Sequence, residues 1–314
     1  MTNPDEKRPV ALIAGPTASG KTALALALAS RQNCAIINAD SAQVYADLPI
    51  LSAQPEGQEM SKAPHKLFGY LDGNDPCSAA RWASDAKTEI GIAHANGQLP
   101  VLVGGTGLYL RTLLDGIAPI PEIDPDIRAG TRALETSDAW LALGREDPNI
   151  AETLNSGDDT RIKRALEVIR STGQSLSLWR ELKEGGIAND ISLHPLILLP
   201  PREWLYERCN ARFERMLDNG AAEEVAVLLE RNLPGDAPVM RAIGVPEISA
   251  MLAEEISRHE AIEAAQTATR QYAKRQYTWF RNQSPADWPR WEEEINIINL
   301  DKIVTLFQSN SLTR

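Results

Sequence analysis

Residues 15–22 read GPTASGKT and match the pattern G-x-x-x-x-G-K-S/T at every fixed position. They follow a short apolar run, residues 10–14 (VALIA), and precede residues 23–29 (ALALALA), which favour a helix. The order of strand, glycine-rich loop and helix is typical of a phosphate-binding loop. The residues predicted to surround the phosphates are Gly15, Pro16, Thr17, Ala18, Ser19, Gly20, Lys21 and Thr22.

The chemistry of this loop depends on its backbone and on two side chains. Glycine at positions 15 and 20 permits a backbone whose N–H groups point at a polyphosphate, and the helix N-terminus adds positive partial charge. Lys21 supplies a full positive charge, and the hydroxyl of Thr22 can bind Mg²⁺. The loop does not identify its phosphorylated ligand, and a glycine-containing turn that matches by chance is the alternative.

The composition indicates a globular protein of one large domain or two, with 314 residues of which 43% are hydrophobic and 24% charged. No apolar run is long enough to span a membrane and no signal peptide is visible, so we expect a cytoplasmic protein without a membrane partner. Cys34, Cys77 and Cys209 are widely spaced and are expected to be reduced, buried thiols. The net charge of −11 argues against non-specific coating of nucleic acid but permits a local basic surface.

Two further apolar runs end in residues suited to a binding site. Residues 34–40 (CAIINAD) end in Asp40, and residues 100–103 (PVLV) are followed by GGTG at 104–107, which contains Thr106. In an open parallel sheet, ligands bind beyond the carboxyl ends of the strands, so both residues are predicted near the phosphate loop. Asp40 as the N-cap of a following helix is equally compatible with the spacing, and GGTG also fits a tight turn without a ligand.

A proline-rich stretch at residues 115–125 marks a boundary, after which residues 126–185 carry helical patterns only. The most basic part of this helical region is residues 160–164 (TRIKR), for which a solvated helix face is the alternative to a binding surface. The predicted domains are a core in two parts, residues 1–117 and 191–314, and a helical insertion, residues 118–190.

The second part of the core begins with a predicted strand at 196–199 and a helix at 202–219. Arg208, Arg212 and Arg215 share one face of that helix, where they suit a phosphate, or pair with neighbouring glutamates instead. The chain is predicted to end in a strand at 295–300 and a terminal helix at 301–308.

The long predicted helix at residues 259–283 combines cations with aromatic side chains towards its end. Arg270, Lys274, Tyr277 and Arg281 follow one another at steps of four, three and four, and so lie on one face. Cations and stacking aromatics suit a single-stranded or looped nucleic acid. A packed, partly solvated helix is the alternative.

Five segments together resemble the tRNA dimethylallyltransferases, also called tRNA isopentenyltransferases. They are GPTASGKT (15–22), NADSAQVY (38–45), LVGGTGLYL (102–110), DDTRIKRALEVIRSTG (158–173) and TRQYAKRQYTWFR (269–281), in the order of that family. The first segment is shared with many enzymes, whereas GGTGLYL and the last segment are far more specific. The likeness extends over about residues 10–283.

The resemblance implies an α/β fold, with a kinase-like P-loop core around a parallel sheet and an all-helical insertion that grips the anticodon stem. It implies transfer of a dimethylallyl group from dimethylallyl diphosphate to N6 of adenosine 37 in tRNAs that read codons beginning with U. The implied enzyme needs Mg²⁺, releases diphosphate and flips the acceptor base out of its stack. A monomer is expected, and whether ATP also binds in the loop stays open.

The resemblance also assigns roles to single residues. Asp40 matches the general base that binds the N6 amine, Thr106 and Arg212 match diphosphate contacts, and Lys21 acts with them at the leaving group. The residues that match tRNA contacts are Asp40, Ser41, Ala42, Gln43, Thr106, Arg128, Thr160, Arg161, Ile162, Lys163 and Arg164.

The chain departs from the family pattern at three places. Residues 50–55 (ILSAQP) lack the Gly, Thr and Lys that are usual there, Val245 follows Gly244 in place of a Tyr, and Lys66 follows His65 in place of a second His. These departures leave the phosphate loop and Asp40 intact, and they bear on the loop around 50–55 and on donor affinity.

Three other functions share parts of this pattern. A small-molecule kinase would use the same loop, with Asp40 activating a hydroxyl, but it does not need the basic aromatic helix. An isopentenyltransferase that acts on free adenine nucleotides would not need the basic residues 160–164, and a nucleotide-dependent binding module would not need Asp40.

Overall fold

The structure, a computed structural model, describes residues 7–311 apart from the side chains of residues 297, 306 and 308–311. The ends of the predicted core, residues 1–6 and 312–314, lie outside the described residues. The chain divides into two compact units, one made of Met1–Leu113 and Ala188–Arg314 and the other of Leu114–Ile187. The predicted insertion, 118–190, differs from the second unit by a few residues at each end.

A six-stranded parallel sheet forms the centre of the first unit, with the strands in the order β3-β2-β4-β1-β5-β6. The strands are β1 (Arg8–Ala14), β2 (Cys34–Asn38), β3 (His65–Lys66), β4 (Leu99–Gly104), β5 (Ile191–Leu198) and β6 (Arg290–Trp291). Each residue of β2 and β4 is buried. Both faces of these central strands are therefore covered, which explains why their sequences are continuous apolar runs rather than alternating ones.

Between β1 and Asp115 the chain forms four helices. They are α1 (Lys21–Ala29), α2 (Gly57–Met60), α3 (Ala79–Ala95) and α4 (Gly107–Asp115). Helix α1 buries Leu24, Ala25 and Leu28 against β1 and β4 in the main core. Residues 55–76 contain several glycines and prolines, which suggest a loop, but the segment forms α2 and β3, and His65 and Lys66 pair with Ile36 and Ile37 of β2.

The second unit is helical, with a hydrophobic core of its own. Its helices are α5 (Pro125–Arg132), α6 (Thr136–Glu146), α7 (Pro148–Ala151), α8 (Asp159–Thr172) and α9 (Leu176–Glu181). The side chains of Asp124, Asp147, Asp158 and Ser175 accept hydrogen bonds at helix N-termini, which explains where four of the helices begin. An antiparallel bridge between Ile117 and Glu184 joins the two ends of the unit.

Five helices complete the first unit after β5. They are α10 (Arg202–Asp218), α11 (Ala221–Glu230), α12 (Val245–Leu252), α13 (Arg258–Gln283) and α14 (Ile297–Ser311), with a short 3-10 turn at Pro238–Arg241. Helix α10 packs along α13. None of the described helices is long and apolar enough to cross a membrane.

The predicted strand at 295–300 is wrong, since the last strand is β6 and α14 begins at Ile297. The side-chain oxygen of Asn296 accepts hydrogen bonds from the backbone N–H groups of Ile298 and Asn299, at 2.9 Å and 3.0 Å. An Asn in that position is a helix N-cap, and it overrides the β-branched residues that suggested a strand. Ile295 packs in the main core beside α1 instead of in the sheet.

Gly104→Ala is expected to lower the free energy of unfolding by about 1–3 kcal/mol, as overpacking of a rigid site does. A Cβ at position 104 would collide with the backbone of Ala39, which cannot move away as a flexible side chain could. Denaturant unfolding measures the effect. Gly91→Ala on α3 is the matched control, because a Cβ there meets no heavy atom within 4 Å, and a loss as large as that of Gly104→Ala would contradict this explanation.

Candidate active site

A cavity of about 670 Å³ lies beyond the carboxyl ends of β1, β2 and β4 in the first unit. The phosphate loop, Asp40, Arg212 and Tyr272 line its polar part. Leu48, Leu51, Phe213 and Met216 also line it and give it an apolar part. A cavity with a cationic end and an apolar wall suits an amphiphilic ligand that carries negative charge at one end.

The phosphate loop adopts the conformation that its glycines predict. Gly15 has φ 154°, and a Cβ there would collide with the carbonyl oxygen of Leu198; Gly20 has φ 96° and caps α1. The ammonium of Lys21 donates to the carbonyl oxygen of Pro16 at 2.6 Å. The hydroxyl of Ser19 is fully buried and forms no hydrogen bond with any described residue. A buried hydroxyl without a protein partner is expected to bond to a ligand, an ion or an ordered water.

Two arginines of α10 bind the phosphate loop. Arg212 donates to the hydroxyl oxygen of Thr17 at 2.6 Å, and Arg208 donates to the carbonyl oxygen of Ala18 at 3.0 Å. Arg215 instead donates to Ala211 on its own helix. The alternative of ion pairs with Glu207 and Glu214 is not seen among the ion pairs of the described residues. Two of the three arginines on this face of α10 therefore contact the phosphate loop.

The positive charges of Lys21 and Arg212 are not fully compensated by nearby carboxylates. Burial lowers the pKa of Lys21 from 10.5 to about 8, the Asp40 carboxylate opposes that shift, and Arg212 adds to it. The pKa of Arg212 is also lowered, first of all by burial. An anion bound between Lys21 and Arg212 would relieve both penalties, so the electrostatics of the site favour an anionic ligand.

Asp40 is held in one orientation at the end of β2. Its N–H donates to the side-chain oxygen of Asn38 at 2.8 Å, and its carboxylate accepts from the N–H of Ala42 at 3.1 Å. The residues that follow form turns and no helix, so the N-cap interpretation of Asp40 is wrong. The carboxylate lines the cavity, where it is free to accept a proton from a ligand.

Thr106 and Asp40 occupy adjacent loops. The Thr106 hydroxyl accepts from the N–H of Ser41 at 2.9 Å and donates to the Ser41 hydroxyl at 3.1 Å. Tyr272 of α13 reaches the same two hydroxyls, and its pKa is raised by burial and by the nearby Asp40 carboxylate. The sequence placed Tyr272 only among the aromatics of the long helix, since nothing local indicates which residue of α13 reaches the cavity.

The glycines of the GGTG turn serve close packing within the protein. A Cβ at Gly104 would collide with the backbone of Ala39, one at Gly105 with the amide of Gln276, and one at Gly107 with the ring of Trp279. The turn therefore packs against α13 and the end of β2, while its first glycine, Gly104, also lines the cavity. Thr106 is connected to the cavity through its hydrogen bonds with Ser41.

Gln43 lines the cavity and also holds the loop at residues 48–54. Its amide nitrogen donates to the carbonyl oxygens of Ser52 at 3.1 Å and Ala53 at 2.6 Å. Glu224 of α11 fixes the same loop by accepting from the N–H groups of Ile50 and Leu51 at 2.7 Å and 2.9 Å. This loop carries the departure from the family pattern, and it contributes part of the apolar wall through Leu51.

Two members of the predicted stripe on α13 pack against the core. Arg270 donates to the side chain of Asn210 on α10 at 2.7 Å, and the Tyr277 hydroxyl donates to the carbonyl oxygen of Leu199 at 3.4 Å. Arg202 lies over the ring of Tyr277, 4.8 Å from its centroid. Lys274 and Arg281 are exposed. The packed-helix interpretation therefore applies to Arg270 and Tyr277. Lys274 and Arg281 are the members of the stripe that remain accessible to a nucleic acid.

The other predicted tRNA contacts lie in the second unit. Arg128, Thr160 and Arg161 are exposed, and Arg161 lies 3.3 Å from Asp158 on its own helix. The other two basic side chains of the segment also form ion pairs, Lys163 with Asp159 at 2.9 Å and Arg164 with Glu167 at 3.2 Å. Ile162 is fully buried in the helical core. The prediction of a tRNA contact is wrong for the side chain of Ile162, because its position in α8 faces inward.

Family models match this chain over most of its length. A model described as IPP transferase matches residues 43–283, and one described as isopentenyl transferase matches residues 8–72. A tRNA dimethylallyltransferase of Sphingopyxis alaskensis is 57% identical over 306 residues, covering 97% of this chain and all of the relative. That of Erythrobacter litoralis is 61% identical over 292 residues, covering 91% and 92% of the two chains.

Solved structures agree with the sequence relatives. A full-length tRNA isopentenylpyrophosphate transferase of Bacillus halodurans superposes with a TM-score of 0.69 at 30% identity, covering 97% of this chain and 96% of the other. A eukaryotic dimethylallyltransferase described as acting on tRNA has a TM-score of 0.76 at 29% identity, covering 87% and 70%. These likenesses confirm the predicted P-loop α/β fold. Together with the family models and the close relatives, they establish that this chain belongs to the IPP transferase family.

Proposed function

We propose that this chain is a tRNA dimethylallyltransferase that moves the dimethylallyl group of dimethylallyl diphosphate to N6 of adenosine 37, in tRNAs that read codons beginning with U. The observation that carries the proposal is one cavity that holds two half-buried cations, an oriented carboxylate and an apolar wall. Relatives named tRNA dimethylallyltransferase, at up to 61% identity, support the same reaction.

The two ends of the donor fit two different parts of the cavity. Lys21, Arg212 and the loop N–H groups bind the diphosphate, while Leu51, Phe213 and their apolar neighbours surround the five-carbon group. When the C–O bond breaks, its electron pair stays with the diphosphate, and the two cations stabilise that charge. The apolar wall and the bound acceptor base together limit the access of water to the allyl carbon, which carries positive character at that moment.

Asp40 completes the transfer at the acceptor. The N6 amine attacks the allyl carbon, a C–N bond forms as the C–O bond breaks, and the proton of the amine passes to the Asp40 carboxylate. Ser41 follows Asp40 and lines the cavity, and its hydroxyl, which accepts from Thr106, is placed to donate to the edge of the acceptor base. A flipped base is required, because N6 of a stacked adenine cannot enter a cavity of this kind.

Mg²⁺ is part of the proposal. The hydroxyl of Thr22 lines the cavity at the first turn of α1. Within the described part of the chain, no group of three or more His, Cys, Asp or Glu side chains forms a metal cage. This donor set fits Mg²⁺, which is commonly held by one or two protein oxygens together with substrate phosphates. When bound, the ion would neutralise charge on the departing diphosphate.

Incubation with Mg²⁺, dimethylallyl diphosphate and unmodified tRNA, followed by nucleoside mass analysis, tests the proposal. We expect N6-dimethylallyl-adenosine at position 37 and no product with a tRNA that has guanosine there. Product with free AMP and none with tRNA would move the chain to the adenine-nucleotide branch. ATP consumption with a small metabolite, without prenyl transfer to either acceptor, would make it a kinase.

The pH dependence of donor capture is expected to follow Lys21. Because the pKa of Lys21 in the free protein is about 8, its ammonium loses its charge as the pH rises through that value. The kcat/KM for the donor reports the free enzyme and should fall above pH 8 with a slope of one proton. Lys21→Arg keeps its charge over the same range, so its profile should lack that fall; an unchanged profile would assign the titration to another group.

A further inference from the structure

We propose that Gln276 is a positioning residue that fixes the distance between the phosphate loop and the GGTG turn, and thereby aligns the donor with the acceptor. The inference rests on the proposed function and adds a residue to it. Gln276 lies on α13, far from both loops in the sequence, and its side chain is only 5% exposed.

The amide of Gln276 forms one hydrogen bond to each loop. Its oxygen accepts from the backbone N–H of Thr17 at 2.7 Å, and its nitrogen donates to the carbonyl oxygen of Gly105 at 2.9 Å. Both bonds are buried. A carboxylate at this position would repel the Gly105 oxygen, and an apolar side chain would leave two buried backbone groups without partners. The position thus requires a group that donates at one end and accepts at the other.

Each end of the amide is one contact away from a group that acts in the reaction. Thr17, on the donor side, accepts the hydrogen bond of Arg212 through its hydroxyl. Gly105, on the acceptor side, precedes Thr106, and a Cβ built on Gly105 would lie 3.2 Å from a carboxylate oxygen of Asp40. One side chain therefore sets the spacing between the site of the leaving group and the site of the base.

The GGTG turn is shaped to receive this amide. Gly105 has no side chain at the place where Gln276 approaches, and a Cβ there would collide with the amide nitrogen. The turn is also tied to the end of β2, since the N–H of Thr106 donates to the carbonyl oxygen of Ala39 at 3.1 Å. Removal of the amide would loosen the link of this turn to the phosphate loop while leaving its link to β2 in place.

Misalignment has a chemical signature that differs from simple loss of active protein. If the C–O bond of the donor breaks when the N6 amine is out of reach, water adds to the allyl carbon instead. The products are then dimethylallyl alcohol and diphosphate, with the proton of the water passing to solvent. The ratio of alcohol to modified tRNA measures how well the two sites are aligned, and it does not depend on how much of the protein is folded.

Gln276→Met tests the inference, with Gln266→Met as its matched control. Gln266 also lies on α13 and forms two hydrogen bonds through its amide, to Asn210 and Glu214 of α10, at a distance from both loops. We expect Gln276→Met to lower kcat by about 10²-fold, as a displacement of about 1 Å in a reacting pair does. The KM for the donor should change by less than about threefold, because Lys21 and Arg212 remain.

The ratio of alcohol to modified tRNA should rise in Gln276→Met and stay at the wild-type value in Gln266→Met. Gln276→Glu keeps an acceptor for Thr17 and loses the donor to Gly105, so it should also uncouple the reaction. Equal ratios in the wild type and both Gln276 variants would overturn the inference, as would failure of both variants to fold. Absence of transfer by the wild type would contradict the proposed function instead, which keeps the two failures distinct.

Discussion

Asp40→Asn is expected to lower the rate of dimethylallyl transfer by about 10²- to 10⁴-fold while the donor still binds, which is the range that a general base contributes. The substitution keeps the shape of the side chain and the oxygen that accepts from Ala42, so the loop after β2 retains its structure. What it removes is the group that takes the proton of the N6 amine. Single-turnover assays with saturating donor and tRNA measure the loss.

Donor binding must be measured separately from transfer, because the Asp40 carboxylate also affects the charge of Lys21. The Asp40 carboxylate raises the pKa of Lys21, so its removal lowers that pKa further below the value of about 8. Donor binding by Asp40→Asn should therefore be measured below pH 7, where the ammonium keeps its charge in both proteins. Asp75→Asn, an exposed carboxylate in the same unit, is the control and should leave transfer unchanged. Full activity of Asp40→Asn would exclude the proposed base.

The elements that the sequence predicted well are those with a local signal. The apolar runs before GPTASGKT, Asp40 and GGTG became β1, β2 and β4, since a strand buried on both faces needs a continuous apolar sequence. The two-residue strands β3 and β6 were missed. Two residues are too few to show an alternating hydrophobic pattern, and their pairing is determined by the neighbouring strand. The terminal helix began earlier than predicted because Asn296 caps it.

The residues of the candidate site also divide into those with a local signal in the sequence and those without one. The phosphate loop is a local structure with a local sequence signal. Gln276 and Tyr272 belong to the site only because α13 packs against loops that lie more than a hundred positions away in the sequence. The GGTG pattern was predicted to lie near the phosphate loop, and Gly104 does line the cavity, but the sequence did not indicate that the three glycines pack against Ala39, Gln276 and Trp279. A glycine pattern indicates a close approach and does not tell what approaches.

Lys21→Met is expected to lower kcat/KM for the donor by about 10²- to 10³-fold, the effect of removing one group that stabilises developing negative charge. The ammonium stabilises the leaving diphosphate in the transition state as well as the bound donor. The substitution should therefore lower kcat in addition to raising the KM for the donor. Steady-state kinetics with varied donor measure it. Lys62→Met, at an exposed position of the same unit, is the control. Unchanged donor kinetics in Lys21→Met would mean that the loop holds another ligand.

The same substitution should stabilise the ligand-free protein. Burial holds the pKa of Lys21 near 8 in the folded state, below its unfolded value of 10.5, so the charged form is disfavoured by folding. Below pH 8 the folded protein carries this full penalty, and between pH 8 and 10.5 its free energy of unfolding rises as the unfolded chain binds more protons. Lys21→Met lacks the penalty and loses only the hydrogen bond to Pro16, so at pH 7 it should gain about 1–2 kcal/mol. Denaturant unfolding at pH 7 and pH 10 should show that gain shrinking with rising pH, and a destabilised variant at pH 7 would show that Lys21 serves folding rather than the donor.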